Sequence, residues 1–381
     1  MSVLEQEAPA PAPAPGFLEL PGEVYRDDPV VIPEEGAEVA AAFSPHNPWF
    51  QGGAARTFCV PGRARAAAFH RPGLVIDGEP AAFFGYFETV GDDEAEAQLF
   101  AAVEAWAAAR GARMLFGPVS FATAVAYRVL LEAEPGATPF PGEPWTPLHY
   151  GARLAARGYA LHQRYLTQVV RPDEMRRARD DRRLILDGLR GAGFRFEPLT
   201  PALWLDRLRD LHGLCDVIFG SNFAYTPMGF ETFAAHTGAR FAARFCPQTS
   251  VICWAPDGGI AGLFVVFPDW GPLVRRGAGA ARLRLAAIDA DVHFAALREQ
   301  PPVSAVLKTV GVAPRYQQQG VFAALLVWLL DRCEGRYDRY LGALIREDNP
   351  SRRFFDAYSA TKRWYGLYAR RLGAAAGGGA P

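Results

Sequence analysis

The sequence predicts an α/β protein built from two tandem copies of one strand–loop–helix–strand architecture. Three observations lead there. Ser304–Leu330 (SAVLKTVGVAPRYQQQGVFAALLVWLL) reads as a strand, a polar loop ending in glycine, and a buried helix, and Arg339–Arg346 (RYLGALIR) follows as a second apolar run. The same order appears earlier without sequence identity, in Pro80–Val90 (PAAFFGYFETV), Gly91–Glu94, a helix from Ala95 to Arg110, and Arg113–Val119 (RMLFGPV). The chain has 381 residues, 50% of them hydrophobic, which is enough for two domains of ordinary size.

Taken in order, residues 1–16 contain alternating alanine and proline (APAPAPAPG), which blocks helix and strand pairing and predicts a disordered arm. A first domain is expected over 17–170. Thr57–Val60 and Arg63–Phe69 flank Pro61-Gly62 as a hairpin, and the aromatic strand from Pro80 follows. Leu99, Val103 and Trp106 mark the inner face of the next helix, which Gly111 ends. Pro147–Arg157 reads as a short amphipathic helix and Tyr159–Val170 as the closing strand. Residues 171–193 form a charged helical linker, whose arginines 176, 177, 179, 182 and 183 alternate with acids and so predict a solvated face. A second domain is expected over 194–372. Its parts are a helix over Leu203–Phe219, a hairpin around Asp257-Gly258-Gly259, an inserted helical segment over Arg275–Gln300, the 304–346 unit, a short helix over Ser351–Tyr358 and a last strand over Arg363–Arg370. The glycine-rich end, 373–381, is predicted to be disordered.

Composition excludes several classes. A net charge of −1 argues against a nucleic-acid partner held by bulk charge. Lysine occurs only at 308 and 362, so nearly all positive charge is arginine. The five cysteines are scattered without a CxxC pair, which predicts reduced thiols in a cytoplasmic protein and no metal site. No apolar run reaches the ~18 residues needed to cross a membrane, and the N-terminus lacks a basic-then-apolar leader. His212 and Cys215 share one helix face, where packing is the simpler reading than nucleophilic chemistry.

A strand that feeds a glycine-containing loop and opens a helix offers free backbone N–H groups to a phosphate. The loop Gln317-Gln318-Gln319-Gly320-Val321-Phe322 resembles the coenzyme-A loop of the GNAT-type N-acetyltransferases, Gln/Arg-x-x-Gly-x-Gly/Ala, with Phe322 where the family has a small residue. Asn349 resembles the asparagine that follows the fifth strand there. The tyrosine usual seven residues later is replaced by Asp356, with Tyr358 two residues on. The whole pattern is similar to long bacterial two-half proteins of that superfamily. The resemblance implies two tandem GNAT-like domains, each a mixed, mostly antiparallel sheet flanked by helices, with acetyl-CoA or another acyl-CoA as co-substrate and a small amine as acceptor.

It also implies a site. Arg315, Gln317, Gln318, Gln319, Gly320, Val321, Phe322 and Asn349 would surround the coenzyme, and backbone groups of Val310 and Val312 would align its pantetheine arm. A carboxylate must take the proton of the attacking amine; Glu347 at a strand end is the first candidate and Asp269 in FPDW the second, with Tyr358 as a donor to the leaving thiolate. The first copy carries Glu88, Asp92, Asp93, Glu94 and Glu96 around its loop, which would repel a pyrophosphate and cap the helix instead. Two other classes stand beside acyl-CoA-dependent N-acyl transfer. One is a non-catalytic protein that uses the fold to bind a ligand or partner. The other is acyl or aminoacyl transfer from a carrier-bound donor.

Overall fold

The computed structural model describes residues 2–220, 222–359 and 361–373. Two compact units share the chain. The first takes the residues up to 131, 144–164 and those from 365 on; the second takes 132–143 and 165–364. They therefore differ from the contiguous halves 17–170 and 194–372. Glu132–Glu143 and Tyr165–Val170 belong to the second unit, and the end of the last strand belongs to the first.

In the first unit, β1 (Leu4–Ala8), β2 (Ala54–Val60) and β3 (Ala64–His70) form an antiparallel ladder, with α1 (Leu20–Val24) and α2 (Gly36–Ala42) between β1 and β2. The expected disordered arm is thus corrected. Residues before the first proline make an edge strand, and behind it Ala10 and Ala14 are buried, with Ala14 N–H bonded to Thr57 Oγ1 at 2.9 Å. Alternating prolines cannot donate to a ladder, but small alanines between them can still be packed. The short β4 (Val75–Ile76) leads into β5 (Glu79–Thr89), α3 (Asp93–Ala108) and β6 (Met114–Gly117), with β5 and β6 parallel. Beyond them come β7 (Val119–Ser120), β8 (Ala126–Tyr127), β9 (Val129–Glu132) and α4 (Tyr150–Ala156). Leu99, Val103 and Trp106 of α3 bury against Phe58, Phe84 and Leu115, as their spacing predicts.

The next strand, β10 (Ala160–Val170), continues the chain into the second unit, where α5 (Pro172–Asp180) and α6 (Arg183–Gly191) replace the single linker helix expected. Then follow β11 (Arg195–Pro198), α7 (Pro201–Asp206), α8 (Leu208–Phe219), α9 (Phe230–Thr237) and α10 (Ala239–Ala242). Next are β12 (Val251–Trp254), β13 (Ile260–Pro268), α11 (Gly271–Val274), α12 (Ala290–Arg298), β14 (Ser304–Val312) and α13 (Val321–Cys333). The chain ends through β15 (Arg339–Arg346), α14 (Arg353–Asp356) and β16 (Thr361–Arg371). The second unit's strand order is β10-β15-β14-β13-β12-β11, with β14 and β15 parallel. Helix α13 is apolar on every side because the sheet lies on one flank and α5 and α6 pack on the other.

The repeat expected at 80–119 and 304–346 is present in both units as strand, helix and parallel strand. What the repeat did not foretell is the exchange of closing strands. Tyr165–Val170 of β10 pairs with β15 in the second unit, and Tyr368–Arg371 of β16 pairs with β6 in the first. Residues predicted as part of the first domain's last strand thus pair within the second unit. The described part of the glycine-rich end stops at Gly373, so the expectation for 374–381 lies outside the described residues.

A buried arginine fixes the second unit where the chain enters β16. Arg363 is fully buried and bonds Glu134 through Nε at 3.0 Å and Nη2 at 2.8 Å, Glu143 through Nη1 at 2.8 Å, and the Thr138 carbonyl at 3.0 Å. Arg363→Met should cost about 3–5 kcal/mol in urea unfolding at pH 7, because it strands two carboxylates in a low-dielectric site. A chain limited to residues 194–372 lacks the 132–143 segment and the β10 residues of its unit. It should show no cooperative thermal transition by circular dichroism, whereas the whole chain should.

Candidate functional site

The candidate site is the place where β14 leaves β15. Pairing runs from Ser304↔Arg339 to Leu307↔Gly342 and then stops. Lys308 follows at once as an extra residue, since Thr309 and Leu307 oppose Val265 and Val266 on β13. Strand β15 stays with β10 as far as Arg346, across a bulge with Leu344 at φ +58°. The strands therefore diverge beyond Leu307.

The open side of β14 can be read from its hydrogen bonds. Ala313 N–H bonds the Ala261 carbonyl at 2.9 Å, toward β13. Alternation then turns the N–H and C=O groups of Val312 and Val310 away from β13, into the opening. The Val312 carbonyl does accept a bond from that side, from Gln317 Nε2 at 3.2 Å. Val310 presents a donor and an acceptor without a neighbouring strand.

The loop below the opening is held by its own side chains. Arg315 pairs with Asp257 at 3.0 Å, and Gln319 Nε2 bonds the Arg315 carbonyl at 2.8 Å. Gln318 at φ +67° and Gly320 at φ +84° turn the chain into α13, whose first loop-closing bond is Ala324 N–H to the Gly320 carbonyl at 2.9 Å. The N–H groups of Val321, Phe322 and Ala323 lie in the helix's first turn, where no intrahelical acceptor exists. Val321 is buried. The Phe322 ring lies between Phe264 (6.4 Å) and Phe354 (5.9 Å), so the bulk that departs from the family pattern packs inward between β13 and α14.

The linker makes contacts that its sequence did not foretell, and Arg182, expected on a solvated face, is one of the residues that makes them. A side chain at Gly320 would come within 2.8 Å of Ile185 Cγ2 on α6, so glycine is required there by both φ and space. Arg182 stacks on Phe354 at 4.3 Å and bonds the Tyr358 hydroxyl at 2.8 Å, and Tyr358 itself donates to Asp181. Spacing along the chain gives no sign that a helix more than 130 residues upstream would rest on the loop.

The proposed acid–base residues have different surroundings. Glu347 is half-buried just past β15, and its carbonyl accepts from Arg352 Nη1 at 2.9 Å. Asn349 caps the next turn, its side-chain oxygen accepting from Ser351 N–H at 2.9 Å. Asp269 is only 3% exposed, and its Oδ1 accepts from Gly271 N–H at 2.9 Å. Burial pushes its pKa up to about 7; the Glu143 carboxylate adds to this, while the Gly271 hydrogen bond, Arg339 and Arg363 oppose it. Its place is a strand-end cap within the core. Among the described residues no group of three or more His, Cys, Asp or Glu is arranged to hold a metal, and no helix is long and apolar enough to cross a membrane.

The first unit has the same strand pair with its opening filled. Pairing of β5 with β6 stops at Phe83↔Phe116. A side chain at Gly85 would fall 2.5 Å from the Val119 carbonyl, and Ser120 Oγ accepts from Tyr86 N–H at 3.2 Å. Phe121 then packs among Phe43, Phe69 and Tyr86. At α3, Asp92 accepts from Ala95 N–H at 2.9 Å and pairs with Arg63, while Asp93 pairs with Arg153 at 2.6 Å. The acidic turn caps its helix as its composition suggested.

This geometry, a bulged strand parting from its parallel neighbour above a helix N-terminus, occurs in a chain with the GCN5-related N-acetyltransferase (GNAT) fold in tandem. No family model matches the sequence. Protein YghO of Escherichia coli (strain K12) is 30% identical over 154 residues, which are 38% of this chain and 38% of that protein. A tandem GNAT protein from the clavulanic acid biosynthesis pathway, solved without AcCoA, superposes with a TM-score of 0.52 at 13% identity, over 97% of this chain and 99% of that one. A protein of Enterococcus faecalis V583 described as a probable N-acyltransferase gives 0.51 at 9% identity, over 98% and 73%. At such identities the likeness establishes the fold.

Asp269 gives a test with a defined sign. Its folded pKa, near 7, is above the unfolded value of about 3.9, so its neutral form favours the native state, and that stability is lost as pH rises from about 4 to about 7. Asp269→Asn keeps an oxygen for Gly271 N–H and removes the titration. Urea midpoints should fall less between pH 4 and pH 8 for the variant than for the wild type.

Proposed function

We propose that the chain is an acyl-CoA-dependent N-acyltransferase with one coenzyme site, in the second unit, acting on a small amine or amino-acid-like acceptor. The observation that supports this most is that the Val310 backbone groups turn away from β13 into the opening, on the strand that leads through Gly320 into the first turn of α13. A pantetheine arm could bond Val310 as an added strand would, while the N–H groups of Val321, Phe322 and Ala323 meet the pyrophosphate. The glutamines at 317 and 319 hold the loop, and Arg315 stands beside it. Acyl-CoA supplies an activated thioester carbonyl. The chain's own work is to hold it, to offer the Val310 N–H to the carbonyl oxygen as charge grows there, and to take a proton from the ammonium at Glu347. Tyr358 is the donor considered for the departing sulfur, once free of Arg182 and Asp181.

The filled opening of the first unit and its paired acidic turn support a single site. A second reading, ligand binding without transfer, is favoured by Ile185 of α6, which rests against Gly320 and takes up space beside the loop.

Calorimetry with acetyl-CoA should give one site per chain. Gly320→Glu should abolish binding and, because the position needs glycine, also lower the melting temperature, whereas charge reversal at Asp92 and Asp93 should leave binding unchanged. Two equivalent sites would reject the assignment of the first unit. With an amine panel, Glu347→Gln should lower kcat/KM by ~10²–10⁴-fold. The loss should shrink from pH 6 to pH 10 as more acceptor arrives neutral; a wild-type rate throughout would remove Glu347 from the mechanism.

A further inference from the structure

Lys308 stands at the apex of the divergence. It follows the last β14–β15 pair, Leu307↔Gly342, and is the residue bulged out against Val265 and Val266. It is exposed, and its Nζ lies 3.4 Å from where a side chain at Gly142 would begin. The Pro141–Gly142 turn adjoins Phe140, which packs on Val306 and Leu341. The amine is therefore on the sheet face opposite α13, beside the point where the opening starts. The reading above assigns it no role, although it is the one charged residue in the run Ala305–Val312.

Length places a thioester at the same level. A pantetheine arm has two amides and a chain of atoms about as long as four residues of extended polypeptide, or roughly 13 Å. Laid antiparallel to β14 from the α13 loop, it passes Val312 and Val310 and ends beside Lys308. We infer that Lys308 is a self-acylation site of this protein. This rests on the acyl-CoA reading above. In the step, the neutral Nζ attacks the thioester carbonyl carbon; a C–N bond forms, the C–S bond breaks, and the sulfur leaves with the electron pair and receives the proton lost by Nζ. The products are an N-acyl lysine and free CoA. The acyl-lysine then occupies the apex of the opening beside the thioester, so modification limits turnover.

Only two lysines make the test legible. The full chain is incubated with acetyl-CoA at pH 8, digested, and mapped by mass spectrometry. Lys308 should be acetylated at least about tenfold faster than Lys362, because the bound thioester is held beside it. The rate should not depend on protein concentration. Urea-denatured protein should lose the difference, and Lys308→Arg should bind CoA with wild-type affinity in calorimetry while remaining unmodified. If CoA binds and Lys308 reacts no faster than Lys362, or equally fast when denatured, the inference is overturned and the acyl-CoA reading stands. If calorimetry detects no CoA binding, the acyl-CoA reading fails and this inference fails with it.

Discussion

Four residue pairs hold β14 to β15, and the opening in the second unit depends on the ladder ending there. A parallel pair that continued would consume the backbone groups of Val310 and leave no gap. Three local features stop it. Lys308 adds a residue and turns the strand, Leu344 adopts a left-handed conformation, and β10 keeps β15 engaged on its far side. The cost of unpaired backbone is tolerable because the open groups face the opening rather than a neighbouring strand.

The two units show how one architecture can be opened or closed by side chains. Both have a strand, a helix capped at its start, and a parallel strand. In the first, Val119–Phe121 and a group of aromatic rings occupy the space beyond the last pair, and three arginines, at 63, 153 and 157, answer the acidic helix start. In the second, the corresponding space has Val310 on one side, and the helix starts with uncharged residues. Aromatic packing in one and backbone polarity in the other are consequences of composition at a few positions, not of topology.

The exchange of closing strands has an energetic anchor. Arg363 lies in β16 and is answered by Glu134 and Glu143 from a segment far away in sequence. An ion cluster this deep adds little net stability compared with an apolar replacement of the same shape. It does enforce which segment sits there, since any other would leave the guanidinium unpaired.

Much of the fold was legible in the residues themselves. The β-branched run at 304–312, the glycine at 320, the apolar helix after it and the 3.6-residue spacing of Leu99, Val103 and Trp106 are local signals, and each produced the element expected. The loop residues 315–322 were legible for the same reason, because a turn into a helix is written in adjacent positions. Other features were not. The alanine–proline stretch has no periodic signal, yet it is packed behind an edge strand. Asp269 was legible as a strand-end carboxylate, but its burial, to only 3% exposure in the folded chain, was not. Ile185, Arg182 and Lys308 reach the site through a helix contact, a ring stack and a bulge, and the partner strand of β10 lies near residue 340. Local sequence determined which elements form and what chemistry their loops can offer. Which strands pair, which opening is filled and which side chains surround the other were decided by tertiary structure, because those contacts join residues whose separation along the chain carries no trace of their proximity.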